Sequence, residues 1–263
     1  MNDCRIAIID IETSPSLAWV WRRFKENISL DQVEEDGYVL CGAWKWLGQA
    51  GVHSSANYTN GITHYGDDYR TVKALWDVLD CADVVVAHYG KKFDLPVLNA
   101  RFIKHGLPPP SPYRIIDTKE IADKNFKFPS NKLEGLLRYF GLGNKHKTDF
   151  DLWKGCLHGD EDSWRKMVRY CENDVAMLEK LYLKLRPWIH NHPNVNLFGS
   201  DNRPRCPKCG SSRIQYRGHA HRTPTQVYRA FQCQNPKCMG WSRERVSCLP
   251  KEKRQSILDN APV

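Results

Sequence analysis

The sequence predicts an α/β protein: a mixed sheet flanked by helices, followed by a small β-rich unit stapled by metal. Three observations carry the prediction. Strand-like segments come first and then alternate with helical ones, the order of a mixed sheet with helices on its faces. Residues 83–88 read Asp-Val-Val-Val-Ala-His, a continuous apolar run of the kind buried on both faces. Five of the ten cysteines stand between Cys206 and Cys248, in a segment rich in arginine and poor in large aliphatics.

Taken in order, the first strand is expected at about Arg5–Ile11, a second at Tyr38–Trp46, and a weaker third near Gly51–Tyr58. A helix follows over Arg70–Cys81, where Val72, Leu75, Trp76 and Leu79 recur at helical spacing. After the buried strand Asp83–His88, a helix over Leu95–His105 stops at Gly106 and a Pro-rich loop. A short strand is expected at Tyr113–Thr118. The next helix begins at Asn131 with a capping box completed by Glu134, and ends near Gly141 and Gly143. A long helix from about Glu161 to Arg186 is stopped by Pro187. Past His190–Pro193 the segments become short and Arg-rich. That places a boundary near 195–204, between domains at 1–195 and 201–263.

The length of 263 residues fits one large domain plus something small. With 41% hydrophobic and 26% charged residues the chain is neither fibrous nor disordered. Its longest uncharged run, Trp46 to Gly66, is too polar to span a bilayer, so no membrane partner is expected. The first apolar run is cut at Asp10 and lacks a signal peptide's basic flank, so the expected location is the cytoplasm. The net charge of +9 is unevenly placed: residues 1–200 hold 26 basic and 26 acidic side chains, residues 201–263 hold 13 and 4. A small basic unit points to a polyanionic partner; a solvated basic tail is the plain alternative.

Four carboxylates occupy positions where an uncompensated buried charge would be costly. Asp10 and Glu12 lie in Ile-Ile-Asp-Ile-Glu-Thr at the end of the first strand. Two apart, they share one face while Ile9 and Ile11 share the other. Like charges on one face of a central strand repel, and a divalent cation between them is the simplest cure. Asp94 follows Phe93 where the helix after the buried strand begins, and Asp174 lies in the long helix four residues after Tyr170, on the same helical face. Plainer readings exist: Asp94 as a helix cap, Asp174 with Tyr170 as a surface pair.

In series these residues resemble the DEDD exonucleases, the DnaQ-like branch of the RNase H-like fold. Asp10-Ile11-Glu12 matches the first motif, Phe93-Asp94 the second, and Tyr170 with Asp174 the third. The tyrosine is similar to that of the DEDDy branch, more narrowly the YprB-like exonucleases of phages and bacteria, over about residues 5–190. One position departs: the family usually has Asn just past the buried strand, where this chain has Tyr89 beside His88. The resemblance implies an RNase H-like sheet and a metal-dependent 3′→5′ exonuclease acting on single-stranded DNA or RNA with a free 3′ end, in a bacterial or phage-infected cell. It also implies two Mg²⁺ or Mn²⁺ ions held by Asp10, Glu12, Asp94 and Asp174, with Tyr170 orienting the attacking water. Two such ions about 3.5–4 Å apart suit phosphodiester hydrolysis, one generating the nucleophile and one stabilising the leaving oxygen. They prefer carboxylate oxygen to thiolate. Lys91, Lys92 and Lys132 are candidate strand contacts, against the ordinary alternative of solvated lysines.

Cys206-Pro-Lys-Cys209 and Cys233-Gln-Asn-Pro-Lys-Cys238 stand 23 residues apart, the spacing of a zinc ribbon. Four thiolates would close the site around one structural Zn²⁺. His219, His221 and Cys248 are spare candidates left outside it. Arg213, Arg217, Arg222, Arg229, Arg243 and Arg245 interleave with Tyr216, Tyr228, Phe231 and Trp241. Arginines for phosphates and rings for bases suit a sequence-tolerant single-strand binder, though some rings serve as the ribbon's own core. The reading is therefore a metal-dependent exonuclease, DNA favoured, with a nucleic-acid-binding zinc ribbon. A structure-specific nuclease using the same carboxylates, a binding adaptor on an inactive nuclease fold, and a ribbon that binds protein are the alternatives.

Overall fold

Strand β1 (Ile6–Thr13) is the axis of the first unit, and its alternation dictates what surrounds it. In the computed structural model, which describes residues 4–59, 61–143, 148–200 and 203–260, the chain divides into Arg5–Tyr182 and a second unit from Leu183 onward. The division falls earlier than the boundary expected at 195–204, inside the last turns of the long helix; Asp201 and Asn202 lie outside the described residues.

After β1 come a small ribbon of β2 (Leu17–Ala18) and β3 (Val33–Glu35), then β4 (Val39–Trp46) and β5 (His53–Ala56). A second small ribbon, β6 (Tyr58–Thr59) with β7 (Ile62–Thr63), leads to helix α1 (Tyr69–Cys81). Then follow β8 (Val84–Ala87), α2 (Asp94–Lys104), β9 (Arg114–Asp117), α3 (Thr118–Asn125), α4 (Leu133–Phe140), α5 (Phe150–Leu157) and α6 (Glu161–Leu185). The sheet order is β5-β4-β1-β8-β9, antiparallel on the β4 side of β1 and parallel on the β8 side. It is the expected mixed sheet flanked by helices.

Ala7, Ile9 and Ile11 pack with Val72, Leu75 and Leu79 of α1 and Leu98 and Phe102 of α2, so one face of β1 is core. The opposite face meets α6, whose buried stripe includes Met167, Cys171, Val175, Leu178 and Tyr182. Polar contacts fix that helix to the sheet: Lys45 pairs with Glu179 at 3.0 Å, and the Ser54 hydroxyl donates to Glu172 at 2.6 Å. Gly42 on β4 is needed for the other face, since a Cβ there would lie 2.6 Å from Leu75 Cδ1.

One expectation is corrected. The helix expected from Asn131 has no capping box there; α4 starts at Leu133 with Lys132 as its cap residue and no side-chain cap bond. Asn131 is used elsewhere, its amide donating to Asp123 at 2.6 Å and its carbonyl lying 3.1 Å from His88 Nε2. Helices α3 and α5 were not anticipated from the sequence; α3 carries only Ile121 and Ala122 as apolar residues, and α5 has Gly155 in its middle.

In the second unit, β10 (Ile214–Arg222), β11 (Val227–Cys233) and β12 (Trp241–Arg243) form an antiparallel sheet, followed by α7 (Lys251–Ser256). No described helix is long and apolar enough to cross a membrane.

Candidate functional site

The carboxyl end of β1 is where the two faces diverge. A bulge between Glu12 and Thr13 shifts the register against β4, a common device beside active sites. Asp10 and Glu12 point to the α6 face, opposite the core set. In α6, Asp174 occupies a position in the buried stripe and is only 2% exposed, which removes the surface-pair reading. The carboxylate oxygens of Asp10, Glu12 and Asp174 lie within 4.8 Å of one another. The Cys171 thiol, one turn before Asp174, donates to the Asp10 carbonyl at 3.4 Å and approaches its carboxylate at 3.8 Å. A hydrogen bond with Cys41, burial and the nearby acids hold that thiol neutral.

Asp94 stands beside this trio and is not a member of the 4.8 Å group. Strand β8 pairs with β1 only through Ile8; farther along, the buried Asp94 carboxylate accepts the N–H of Ile11, between Asp10 and Glu12, and also its own N–H. Burial drives its pKa up to about 7, helped by the charge of Asp117 and opposed by the two N–H groups. Asp94 is the first residue of α2 and not its cap; Phe93 holds that position.

Sequence reading missed Asp117. It ends β9, caps α3 through the N–H groups of Lys119 and Glu120, and takes the N–H groups of Tyr89 at 3.0 Å and Lys91 at 3.1 Å. A signal existed, since Asp117 with Glu120 three residues later is a helix-start pattern.

Tyr170 is buried, edge-on to Trp153 with ring centroids 6.3 Å apart. It lines a cavity of about 580 Å³ with Asp149, Leu152, Lys166 and Arg169. Lys166 and Arg169 were not singled out in the sequence; their positions four and one residues before Tyr170 were the only hint. Of the expected strand contacts, Lys92 and Lys132 are exposed, whereas Lys91 is ion-paired with Glu120.

Three convergent carboxylates, one deeply buried, offer the hard oxygen donors that a divalent cation takes, so the residues present fit such an ion. In the second unit, the sulfurs of Cys206, Cys209, Cys233 and Cys238 also lie within 4.8 Å of one another. Cys206–Cys238 and Cys209–Cys233 are separated by 3.8 and 3.6 Å. A tetrahedron with metal–sulfur bonds of about 2.3 Å has edges of about 3.8 Å, so this set fits zinc. The first knuckle turns through Gly210 at φ +71°, the second through Met239 at φ +52°. Cys248 is outside the group and exposed.

The arginines of this unit are not equivalent. Arg213 and Arg217 are exposed. Arg229 makes a bidentate pair with Glu244 at 2.8 and 2.6 Å, and Arg243 lies 3.9 Å over the Tyr228 ring.

A central strand carrying two acids, a buried acid on the covering helix and a mixed five-stranded sheet together define an RNase H-like nuclease fold. Residues 45–186 match the family model RNase_H_2, described as RNase_H superfamily. That is more than half of the 263 residues, and the chain belongs to this superfamily. The match begins after β1, so Asp10 and Glu12 lie outside it. No curated protein matches the chain. Among solved structures, the family B DNA polymerase from the hyperthermophilic archaeon Pyrobaculum calidifontis superposes with a TM-score of 0.54 at 18% identity, covering 75% of this chain. The chain spans 26% of that polymerase.

Proposed function

We propose that the protein is a metal-dependent nuclease of the DEDDy type that removes nucleotides from the 3′ end of single-stranded nucleic acid, DNA favoured. The observation that carries this reading is the convergence of Asp10, Glu12 and Asp174 at the end of the central strand, with Tyr170 one helical turn before Asp174. Two Mg²⁺ or Mn²⁺ ions would supply hydroxide and neutralise the leaving oxygen. Asp10, Glu12 and Asp174 would hold them, with Asp94 completing the set from its place against Ile11. In this reading Tyr170 orients the attacking water and relays its proton at the phenol oxygen. Lys166 and Arg169 counter the phosphate charge in the cavity beside it. Residues 1–195 form the catalytic domain and 201–263 the basic ribbon, which adds phosphate contacts through Arg213 and Arg217; Arg229 and Arg243 contribute less, being engaged within the unit.

The test is a 5′-labelled single-stranded DNA or RNA oligonucleotide incubated with Mn²⁺ or Mg²⁺. A ladder shortening from the 3′ end is expected. Asp94→Ala abolishes it, and Tyr170→Phe slows it by about 10²-fold or more, the usual worth of a proton relay. Wild-type turnover by Asp94→Ala, or release of the labelled 5′ nucleotide at once with no intermediate ladder, overturns the reading.

A further inference from the structure

Between β1 and β4 the chain makes an excursion, 17–35, whose backbone is held by Glu26 and Gln32. Strands β2 and β3 pair at its base, the Trp19 N–H donates to the Gln32 carbonyl at 2.8 Å, and the Gln32 amide returns to the Trp19 carbonyl at 3.0 Å. The Glu26 carboxylate takes the N–H groups of Trp21 and Arg22 at 3.1 and 2.6 Å, and Lys25 turns the chain at φ +55°. This ordered tip presents large rings to water: Trp19 is 73% exposed, Trp21 92% and Phe24 82%. Val20 and Leu30 extend the patch. Large exposed apolar side chains concentrated in so short a segment mark an interaction site.

The charges name the occupant. The excursion's acids are Glu26, Asp31, Glu34 and Glu35. Glu26 is bound to the Trp21 and Arg22 N–H groups, Asp31 takes the Ser29 hydroxyl, and Glu34 and Glu35 lie at the base in β3, whereas Arg22, Arg23 and Lys25 are set among the rings. An apolar protein surface would have to accommodate these three cations among the rings. A single strand offers flat bases to the rings and phosphates to the cations. The ribbon is also anchored immediately beyond the acidic site, since the N–H of Ser14, two residues after Glu12, donates to Tyr38 at 2.8 Å.

We propose that Trp19, Trp21 and Phe24, with Arg22, Arg23 and Lys25, form a docking surface for single-stranded nucleic acid that guides the strand to the carboxylate site. The guiding role rests on the nuclease reading above. The experiment uses the full chain in an Asp94→Ala background, so that the strand survives, with an oligothymidylate carrying 5-iodouracil. Ultraviolet cross-links are expected in the peptide containing Trp19–Phe24. The added triple change Trp19→Ala, Trp21→Ala, Phe24→Ala should weaken binding about tenfold or more, the scale of losing one stacked base, with an unchanged melting temperature. Arg22→Ala with Arg23→Ala should lower the slope of log K against log salt by about 1.4. Cross-links confined to other peptides, with wild-type affinity in the triple variant, overturn the proposal and assign the patch to a protein partner. If the otherwise wild-type enzyme cleaves nothing while these cross-links form, the nuclease reading fails and the docking surface stands.

Discussion

Tyr89 is the residue most at odds with its backbone: a tyrosine at φ +72°, a region that glycine and asparagine enter at much lower cost. It stays there because the surrounding bonds leave no other choice. Its N–H is taken by Asp117, and its carbonyl accepts from both Lys92 and Phe93, which winds the chain directly into Asp94. Asp117 is thus the residue that shapes the approach to Asp94, although it touches none of the three clustered acids. Asp117→Ala removes the acceptor of four N–H groups and a helix cap. The expected cost is about 2–4 kcal/mol in denaturant unfolding, from charge-assisted bonds and the cap together. With Asp94 released from a neighbouring negative charge, activity at pH 7 should still fall, because the turn that places Asp94 is loosened. A variant as stable and as active as the wild type would show that Asp117 is not the organiser.

At the level of elements, one buried carboxylate pins β4, α1 and α2, which the aliphatic core already packs against one another. Asp68, fully buried, accepts the Val39 N–H at 2.8 Å, Arg101 Nη2 at 2.5 Å and His105 Nε2 at 2.6 Å. Burial alone would raise its pKa, but Arg101, His105 and the Val39 N–H together hold it below the usual aspartate value. The stabilisation is therefore present above about pH 4, where an unfolded aspartate is ionised, and is lost as pH falls through the lower folded value. Asp68→Asn leaves Arg101 buried without its charge partner, and should cost about 3–5 kcal/mol at pH 7. Urea titrations of both proteins at pH 7 and pH 3 check this: the gap should narrow at pH 3, and an equal gap at both values contradicts the ion-pair account. None of this network was legible in the sequence: Arg101 and His105 share a helix face four residues apart, but Asp68 stands 33 and 37 residues before them with no shared motif. The elements themselves were. β1, β4, β8 and α6 carry long apolar periods, and Asp10 with Glu12 interrupts one of them. Asp174 was legible only through its spacing from Tyr170; its burial in the helix stripe is seen in the fold alone. Asp94 was readable as a candidate only; its place against Ile11 depends on where β8 ends, a fact of tertiary pairing.

Across the whole molecule, the two units differ in what makes them fold. Arg5–Tyr182 has a large aliphatic core on one sheet face, so the cluster of acids is a local cost it can carry. The cluster at the centre of the second unit consists of Cys206, Cys233 and Cys238, with Cys209 and Ile214 packed against them. Its interior is sulfur, and without a metal those thiols have little apolar surface to bury, so metal binding supplies the folding free energy. The basic excess of 13 over 4 charges in residues 201–263 opposes folding further by self-repulsion. One zinc per chain is therefore expected by elemental analysis. Its removal with a strong chelator should melt β10–β12 while leaving the first unit's thermal transition in place. Cys206→Ser should reproduce that loss without chelator, whereas Cys248→Ser, outside the thiol group, should bind zinc as the wild type does. Affinity for single strands should fall with the ribbon's fold and become less salt-dependent, because the arginines would no longer be held on one surface. A chain that contains no zinc, or whose second sheet survives Cys206→Ser, would mean that the four thiols are held by something other than a metal.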